Sequence, residues 1–173
     1  MPDLSKITTI EDLRVIAKSR VPRMFYDYAD SGAWTEGTYR ANESDFQKIK
    51  LRQRVAVNME GRSTRTTMIG QEVAMPVAIA PTGLTGMQHA DGEIHGARAA
   101  KAFGIPFTLS TMSICSLEDI AEKTDRHPFW FQLYVMRDRD FIERLIERAR
   151  AANVSALQLT LDLQILGQRH KDI

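Results

Sequence analysis

Four short apolar runs recur along the later part of this 173-residue chain, at 76–82, 107–111, 129–135 and 156–162. Their starts lie 31, 22 and 27 residues apart, the length of one strand plus one returning helix. The segments between them have helical patterns. Residues 91–103 are rich in Ala and end at Gly104. Ser116 stands as an N-cap before Leu117, Glu118 and Asp119. Residues 138–152 place Phe141, Ile142, Leu145, Ile146 and Ala149 on one stripe, with Asn153 as the stop. Apolar strands alternating with helices predict a parallel sheet covered by helices. Two closures satisfy that pattern: an open doubly wound sheet and a (β/α)8 barrel. The glycines of Gly83-Leu84-Thr85-Gly86 lack dinucleotide-fingerprint spacing, and no phosphate-loop Lys-Ser/Thr follows.

The chain before residue 76 reads differently. Thr8, Thr9, Glu11 and Asp12 offer a capping box, and Ile10, Leu13, Ile16 and Ala17 continue a helical stripe. Pro22 can open a second helix with Phe25, Tyr28 and Ala29 on its apolar face, ended by Ser31-Gly32. Residues 34–46 predict a third helix, with Tyr39 and Phe46 on one side. Between 52 and 71 the β-branched residues scatter among Arg and Gly, as short strands or an irregular connector. The division expected is an N-terminal helical extension with connector over 1–75, and a barrel portion over 76–173.

A net charge of +1 lacks the basic field that duplex binding needs, so no nucleic-acid partner is expected. One cysteine excludes an intrachain disulfide and any multi-cysteine metal site. The longest apolar stretch, 73–87, is broken by Pro76, Pro81 and Gly83 and is too short to span a bilayer. The first residues show no basic region followed by an apolar core, so no signal peptide is expected.

The informative residues are the polar ones at the ends of the runs. Thr82 and Gly83 end the first, and Ser110 and Thr111 the second. Gln132 and Tyr134 share one face of the third, Thr160 and Asp162 one face of the fourth. Buried in otherwise apolar strands, such groups cost free energy unless paired. They gather at the C-terminal end, where parallel α/β folds bind ligands. A lone Ser, Thr or Asp there is often only a helix cap; four coincident ends point to a site. Cys115 reads as a small buried hydrophobe rather than a nucleophile. His89, His95 and His127 lack metal-ligand spacing, and Phe129-Trp130-Phe131 reads as core.

Several pieces, in order, resemble one family. They are Tyr26-Asp27-Tyr28 with Ser31-Gly32, Met75-Pro76 through Ile79-Ala80-Pro81-Thr82-Gly83, Leu109-Ser110-Thr111, Phe131-Gln132-Leu133-Tyr134-Val135, and Leu159-Thr160-Leu161-Asp162 with Gly167-Gln168-Arg169. The chain is similar to the FMN-dependent α-hydroxy-acid oxidising family, which includes glycolate oxidase, L-lactate dehydrogenase and mandelate dehydrogenase. It most resembles the bacterial members that oxidise L-lactate.

The resemblance implies a (β/α)8 TIM barrel with an N-terminal helical extension and FMN across the C-terminal mouth. The backbone of Pro81, Thr82 and Gly83 would lie against the flavin. Ser110, Gln132 and Thr160 would bond its polar edge. Tyr28 would bind the substrate carboxylate and Tyr134 the substrate hydroxyl or keto oxygen. Asp162 would pair with the catalytic imidazole, and Arg169 would bind or enclose the substrate. Met112 stands where glycolate oxidase has Trp, and Gly83 where several relatives have Ala; both departures alter the pocket.

The implied activity is oxidation of an L-2-hydroxy acid, L-lactate to pyruvate, with electrons passed to a respiratory acceptor. One alternative is an oxygen-using oxidase of the glycolate, lactate or mandelate type. Another, from a different class, is a non-catalytic half-barrel assembly module. Implied partners are a small 2-hydroxy acid and further copies of the chain, since family members are often tetramers. Residence is expected in the cytoplasm, with some bacterial relatives peripheral to the inner membrane. The sequence stops at Ile173, after the fourth run, whereas a full barrel takes eight strands and about 250 residues. The expectation is therefore the first half of a longer enzyme, with the C-terminal half of the same barrel as partner. The family's His base, flavin-side Lys, second substrate Arg and phosphate loops belong to that half, and His170 is in the wrong place to be the base.

Overall fold

The computed structural model describes residues 4–163 and 165–172. It divides into two compact units, Met1–Asn58 with Ile165–Ile173, and Met59–Gln164.

The first unit carries α1 (Ile10–Arg20), α2 (Arg23–Ala29) and α3 (Gly37–Ser44). The capping box at Thr9 forms: its Oγ1 accepts from the Asp12 N–H at 3.2 Å, and Asp12 Oδ2 accepts from the Thr9 N–H at 2.9 Å. α1 buries no residue, so a polar hub holds these short helices. The Asp30 carboxylate accepts from Tyr26 at 2.7 Å, Tyr39 at 2.6 Å and Arg14 at 2.9 Å. Burial opposes ionisation of Asp30, but those three donors outweigh it and hold its carboxyl below the usual value. The same contact pushes the Tyr39 phenol up to about 12. Two expectations change here. The apolar pattern places Tyr28 in the α2 core, but Tyr26 is the buried tyrosine (8% exposed) and Tyr28 is 39% exposed. The third helix starts at Gly37 rather than Trp34, because Trp34 and Glu36 take left-handed φ values of 52° and 60°. Phe46 consequently lies in a 3-10 turn and is exposed.

In the second unit β1 (Thr66–Met68) and β2 (Gln71–Val73) form an antiparallel hairpin, the short strands allowed for between 52 and 71. The first apolar run falls short of the strand expected. Only Ile79 joins the ladder, donating to the Pro106 carbonyl at 2.9 Å and accepting from the Thr108 N–H at 3.0 Å. Pro76 and Pro81 bracket the run and have no N–H to give. The chain continues through α4 (Thr85–Gln88), α5 (Gly92–Phe103), β3 (Thr108–Ser110), α6 (Leu117–Lys123), β4 (Phe129–Leu133), α7 (Arg139–Ala151) and β5 (Val154–Leu159). β3, β4 and β5 pair in that order, all parallel, with Ser110 opposite Gln132 and Gln132 opposite Gln158.

Every residue of β4 is buried, because it is paired on both edges and covered by helices. Phe131, Leu109 and Ile120 are the largest of the fully enclosed side chains. Ile94, Ala97 and Ala100 of α5, Leu117 and Ala121 of α6, and Ile142, Leu145 and Ala149 of α7 complete the core, as the helical stripes predict. Gly104 and Asn153 end α5 and α7 with φ of 66° and 68°. β5 has no residue fully buried, and its outer edge has no strand partner among the described residues.

α6 and α7 are joined on their outer faces by Arg148, which donates to both oxygens of Glu118 at 2.8 and 2.7 Å. That fork holds the Glu118 carboxyl down at about 2. A depressed folded-state value contributes stability above the ordinary carboxyl value of 4.5, lost as pH falls toward 2. Both groups are half exposed, so the effect is small. Glu118→Gln is expected to flatten the pH dependence of the urea midpoint between those values and to leave the midpoint at neutral pH nearly unchanged.

Candidate active site

The ends of β3, β4 and β5 meet at one side chain. Gln132, buried in β4, accepts at Oε1 from the Ser110 hydroxyl and the Thr111 N–H, both at 3.2 Å. Its Nε2 donates to Thr160 Oγ1 at 2.7 Å, just beyond β5. The amide is therefore oriented by partners on both flanking strands. Ser110 Oγ also accepts from the Met112 N–H at 3.1 Å, which curls the chain as it leaves β3.

Thr111 extends this pairing past the last residue of β3. Its hydroxyl donates to the Gln132 carbonyl at 2.5 Å and accepts from the Tyr134 N–H at 3.3 Å. Tyr134 is thereby held at the rim, half-buried. The Pro81–Gly83 stretch lies at the same rim. Leu84 donates to the Met112 carbonyl at 2.9 Å, tying this loop to the one after β3. A Cβ added at Gly83 would sit 3.2 Å from Met112 Cβ and 3.8 Å from Ser110 Oγ. The two departures from the family pattern, Gly83 and Met112, thus touch one another. Thr82 is exposed beside them, and Asp162 is exposed two residues past Thr160, outside the Gln132 hydrogen bonds.

Tyr28 and Arg169 come together in the other unit. The Arg169 guanidinium lies 4.5 Å from the centroid of the Tyr28 ring. Arg169 also donates to the Tyr28 carbonyl and, at 2.9 Å, to Ser31 Oγ. Trp34 donates to the Gln168 carbonyl at 2.8 Å, and the His170 ring meets Trp34 edge-on at 5.8 Å.

Two residues to which the sequence assigned no role belong to the frame of the site. Thr111 was visible as the neighbour of Ser110, but its reach to the backbone of β4 was not. Glu93 is buried in α5, with nothing in the Ala-rich pattern to mark it. Cys115 is buried, and His89 and His95 are exposed with no cluster of metal-ligating side chains among the described residues.

Comparison with known proteins places the chain in a family. The model of the FMN-dependent dehydrogenase family matches residues 17–173. The chain belongs to the FMN-dependent dehydrogenase family. It is 49% identical over 166 residues to an L-lactate dehydrogenase of Xanthomonas campestris and 48% identical to one of Pseudomonas entomophila. Each match takes 96% of this chain and 43% of the relative, so the chain spans under half the length of these relatives. A soluble mutant of the membrane-associated (S)-mandelate dehydrogenase of Pseudomonas putida superposes with a TM-score of 0.90 at 36% identity, over 96% of this chain and 47% of that one. A flavocytochrome b2 variant with sulfite bound gives 0.92 at 31% identity, over 99% and 46%. Family members of this kind are (β/α)8 barrels, which decides between the two closures: the second unit is part of a barrel.

Thr111→Val removes both side-chain bonds to β4 while keeping the shape. It is expected to destabilise the protein by about 1–3 kcal/mol, the cost of leaving enclosed backbone groups unmet. Thr111→Ser should stay within about 1 kcal/mol of the parent. Chemical denaturation of the two variants checks this.

Proposed function

We propose that this chain supplies the flavin-cradling and substrate-orienting part of an FMN-dependent enzyme that oxidises an L-2-hydroxy acid. The substrate proposed is L-lactate, converted to pyruvate, with electrons leaving to a respiratory acceptor. The observation that carries the reading is the Gln132 amide, which gathers Ser110, Thr111 and Thr160 at the C-terminal ends of three parallel strands.

The donor set suits a flavin. One Nε2 hydrogen of Gln132 is spent on Thr160; its second hydrogen and the Thr160 hydroxyl hydrogen are left to meet ring carbonyls. Beside them, Gly83 offers backbone without a side chain, where a flat ring can approach. Pro81, Thr82, Gly83, Ser110, Gln132 and Thr160 are accordingly assigned to FMN. When bound, FMN accepts the two electrons and the hydrogen that leave the substrate α-carbon.

The remaining assignments concern the substrate. Arg169, stacked on Tyr28 and fixed by its bonds to Ser31 and the Tyr28 carbonyl, supplies a held positive charge that suits a carboxylate, and the Tyr28 phenol adds a donor. Fixing the carboxylate orients the α-carbon. Tyr134 would donate to the hydroxyl or keto oxygen. Asp162 would pair with the imidazole that takes the hydroxyl proton, since a nearby carboxylate favours the cationic ring. That imidazole is assigned to the C-terminal half of the barrel. The open edge of β5, where Leu157 and Leu159 are exposed, is a suitable seat for the next strand. Cytoplasmic residence with peripheral attachment to the inner membrane is part of this reading; a membrane-associated mandelate dehydrogenase among the similar structures supports attachment to a membrane. No described helix is long and apolar enough to cross a membrane.

The purified full-length protein is expected to carry FMN, to bleach on adding L-lactate anaerobically, and to give little peroxide in air. Stoichiometric peroxide would favour the oxygen-using alternative, and protein that takes up no FMN would overturn the reading. Arg169→Lys exchanges the fork for a point charge. It is expected to lower kcat/KM for L-lactate about tenfold or more, chiefly through KM, as loss of one charge-assisted contact should. Steady-state kinetics of the two proteins decides.

A further inference from the structure

Glu93, in the first turn of α5, is the one charged side chain among the buried residues described, at 2% exposure. A carboxylate in a helix's first turn usually faces water and interacts with the helix dipole. This one turns inward instead. Its Oε1 accepts from the Gly86 N–H at 3.1 Å and from the Ile114 N–H at 3.0 Å. Those amides belong to two different rim segments. The first follows the Ile79 run, contains Pro81, Thr82 and Gly83, and leads into the first turn of α4, where Gly86 stands. The second follows β3 and contains Met112.

The surroundings are built around this contact. A Cβ at Gly86 would lie 2.7 Å from Ile114 Cβ, so only glycine permits the loops to close this tightly. A Cβ at Gly92 would lie 2.9 Å from the Thr85 carbonyl oxygen, so the start of α5 is pressed equally close to the first loop. The Cys115 thiol is a further polar group against the carboxylate; burial and that contact push the thiol up to about 11. Burial disfavours a charged Glu93, yet the N–H groups of Ile114, of Glu93 itself and of Gly86, with the thiol, outweigh it and hold the carboxyl below its usual value. A buried charge is expensive and persists only where such donors are in place. Here they sit on the loops that the preceding reading assigns to the flavin.

We propose that Glu93 is a positioning residue whose carboxylate clamps the start of α4, and with it the 81–84 loop, to the 111–115 loop, setting the backbone surface on which the flavin ring rests. The clamp itself stands on geometry alone; its service to the flavin rests on the function proposed above.

Residue-resolved hydrogen exchange on the full chain tests the clamp without any cofactor. In Glu93→Ala the Gly86 and Ile114 amides should exchange about tenfold to hundredfold faster, as loss of a charge-assisted acceptor predicts. Glu93→Gln keeps an acceptor oxygen of the same reach and should restore protection to within about tenfold of the parent. FMN titration of the same proteins should show affinity lowered about tenfold or more in Glu93→Ala and largely regained in Glu93→Gln. Gly86→Ala wedges the loops apart with Glu93 intact, and should expose the Ile114 amide and weaken FMN in the same way. This variant decides the matter if Glu93→Ala does not fold. Unchanged exchange at both amides in folded Glu93→Ala overturns the clamp. Released amides with unchanged FMN affinity overturn the positioning role. A parent protein with protected amides that takes no FMN overturns the functional reading and the positioning role, while the clamp stands.

Discussion

A carboxamide has one end that accepts and one that donates, and inside a parallel sheet neither end has water to turn to. Gln132 meets that constraint by spanning its neighbours: Ser110 and Thr111 bond its oxygen, Thr160 its nitrogen. Each bond is of modest net worth, but breaking one leaves an enclosed polar group unmet, which costs more than the bond contributes. The ends of three strands are thus held in mutual register by one side chain. Everything assigned to ligand binding in the second unit lies within a few residues of those bonds.

The site sits at the rim because the rest of the sheet cannot host it. Phe129, Phe131 and Leu133 of β4 are buried under the helices with Ile120, Leu117 and Leu145. A polar group on that face would have no partner, whereas Gln132 alternates onto the other face and meets the polar strand ends. Where the strands end, loop amides become available, and they are used in two tiers. Thr111 satisfies the backbone of β4 as far as Tyr134, and Glu93 collects the amides of the two loops beyond. The result is that Ser110, Thr111, Gln132 and Thr160 hold one another's orientations, a preorganisation that suits the cofactor proposed for them.

The first unit solves a different problem by the same means. Its helices are too short and too polar to bury much surface, and a single carboxylate, Asp30, joins Arg14 of α1, Tyr26 of α2 and Tyr39 of α3. The chain from Ile165 onward packs in this unit, where Arg169 bonds Ser31 and stacks on Tyr28. Residues about 140 positions apart are joined through a guanidinium that has both a flat face for the ring and a fork of donors.

By itself the sequence determined the alternation of parallel strands and helices, the caps at Thr9 and Ser116, the stops at Gly104 and Asn153, and the burial of Cys115 and the Phe129–Phe131 aromatics. These depend on local chemistry: period, capping oxygens and left-handed stops act within a few residues. It also marked Ser110, Gln132 and Thr160, because polar residues interrupting apolar runs need partners wherever the runs go. Only the tertiary structure decided who those partners are. It reduced the first run to one bridge, since prolines bracket it. It buried Tyr26 instead of Tyr28, since the Asp30 hub draws the former inward. It drove Glu93 into the interior, since the amides of Gly86 and Ile114 converge there. The Glu93–Ile114 and Gln132–Thr160 bonds join residues 21 and 28 positions apart, and no local pattern carries their geometry.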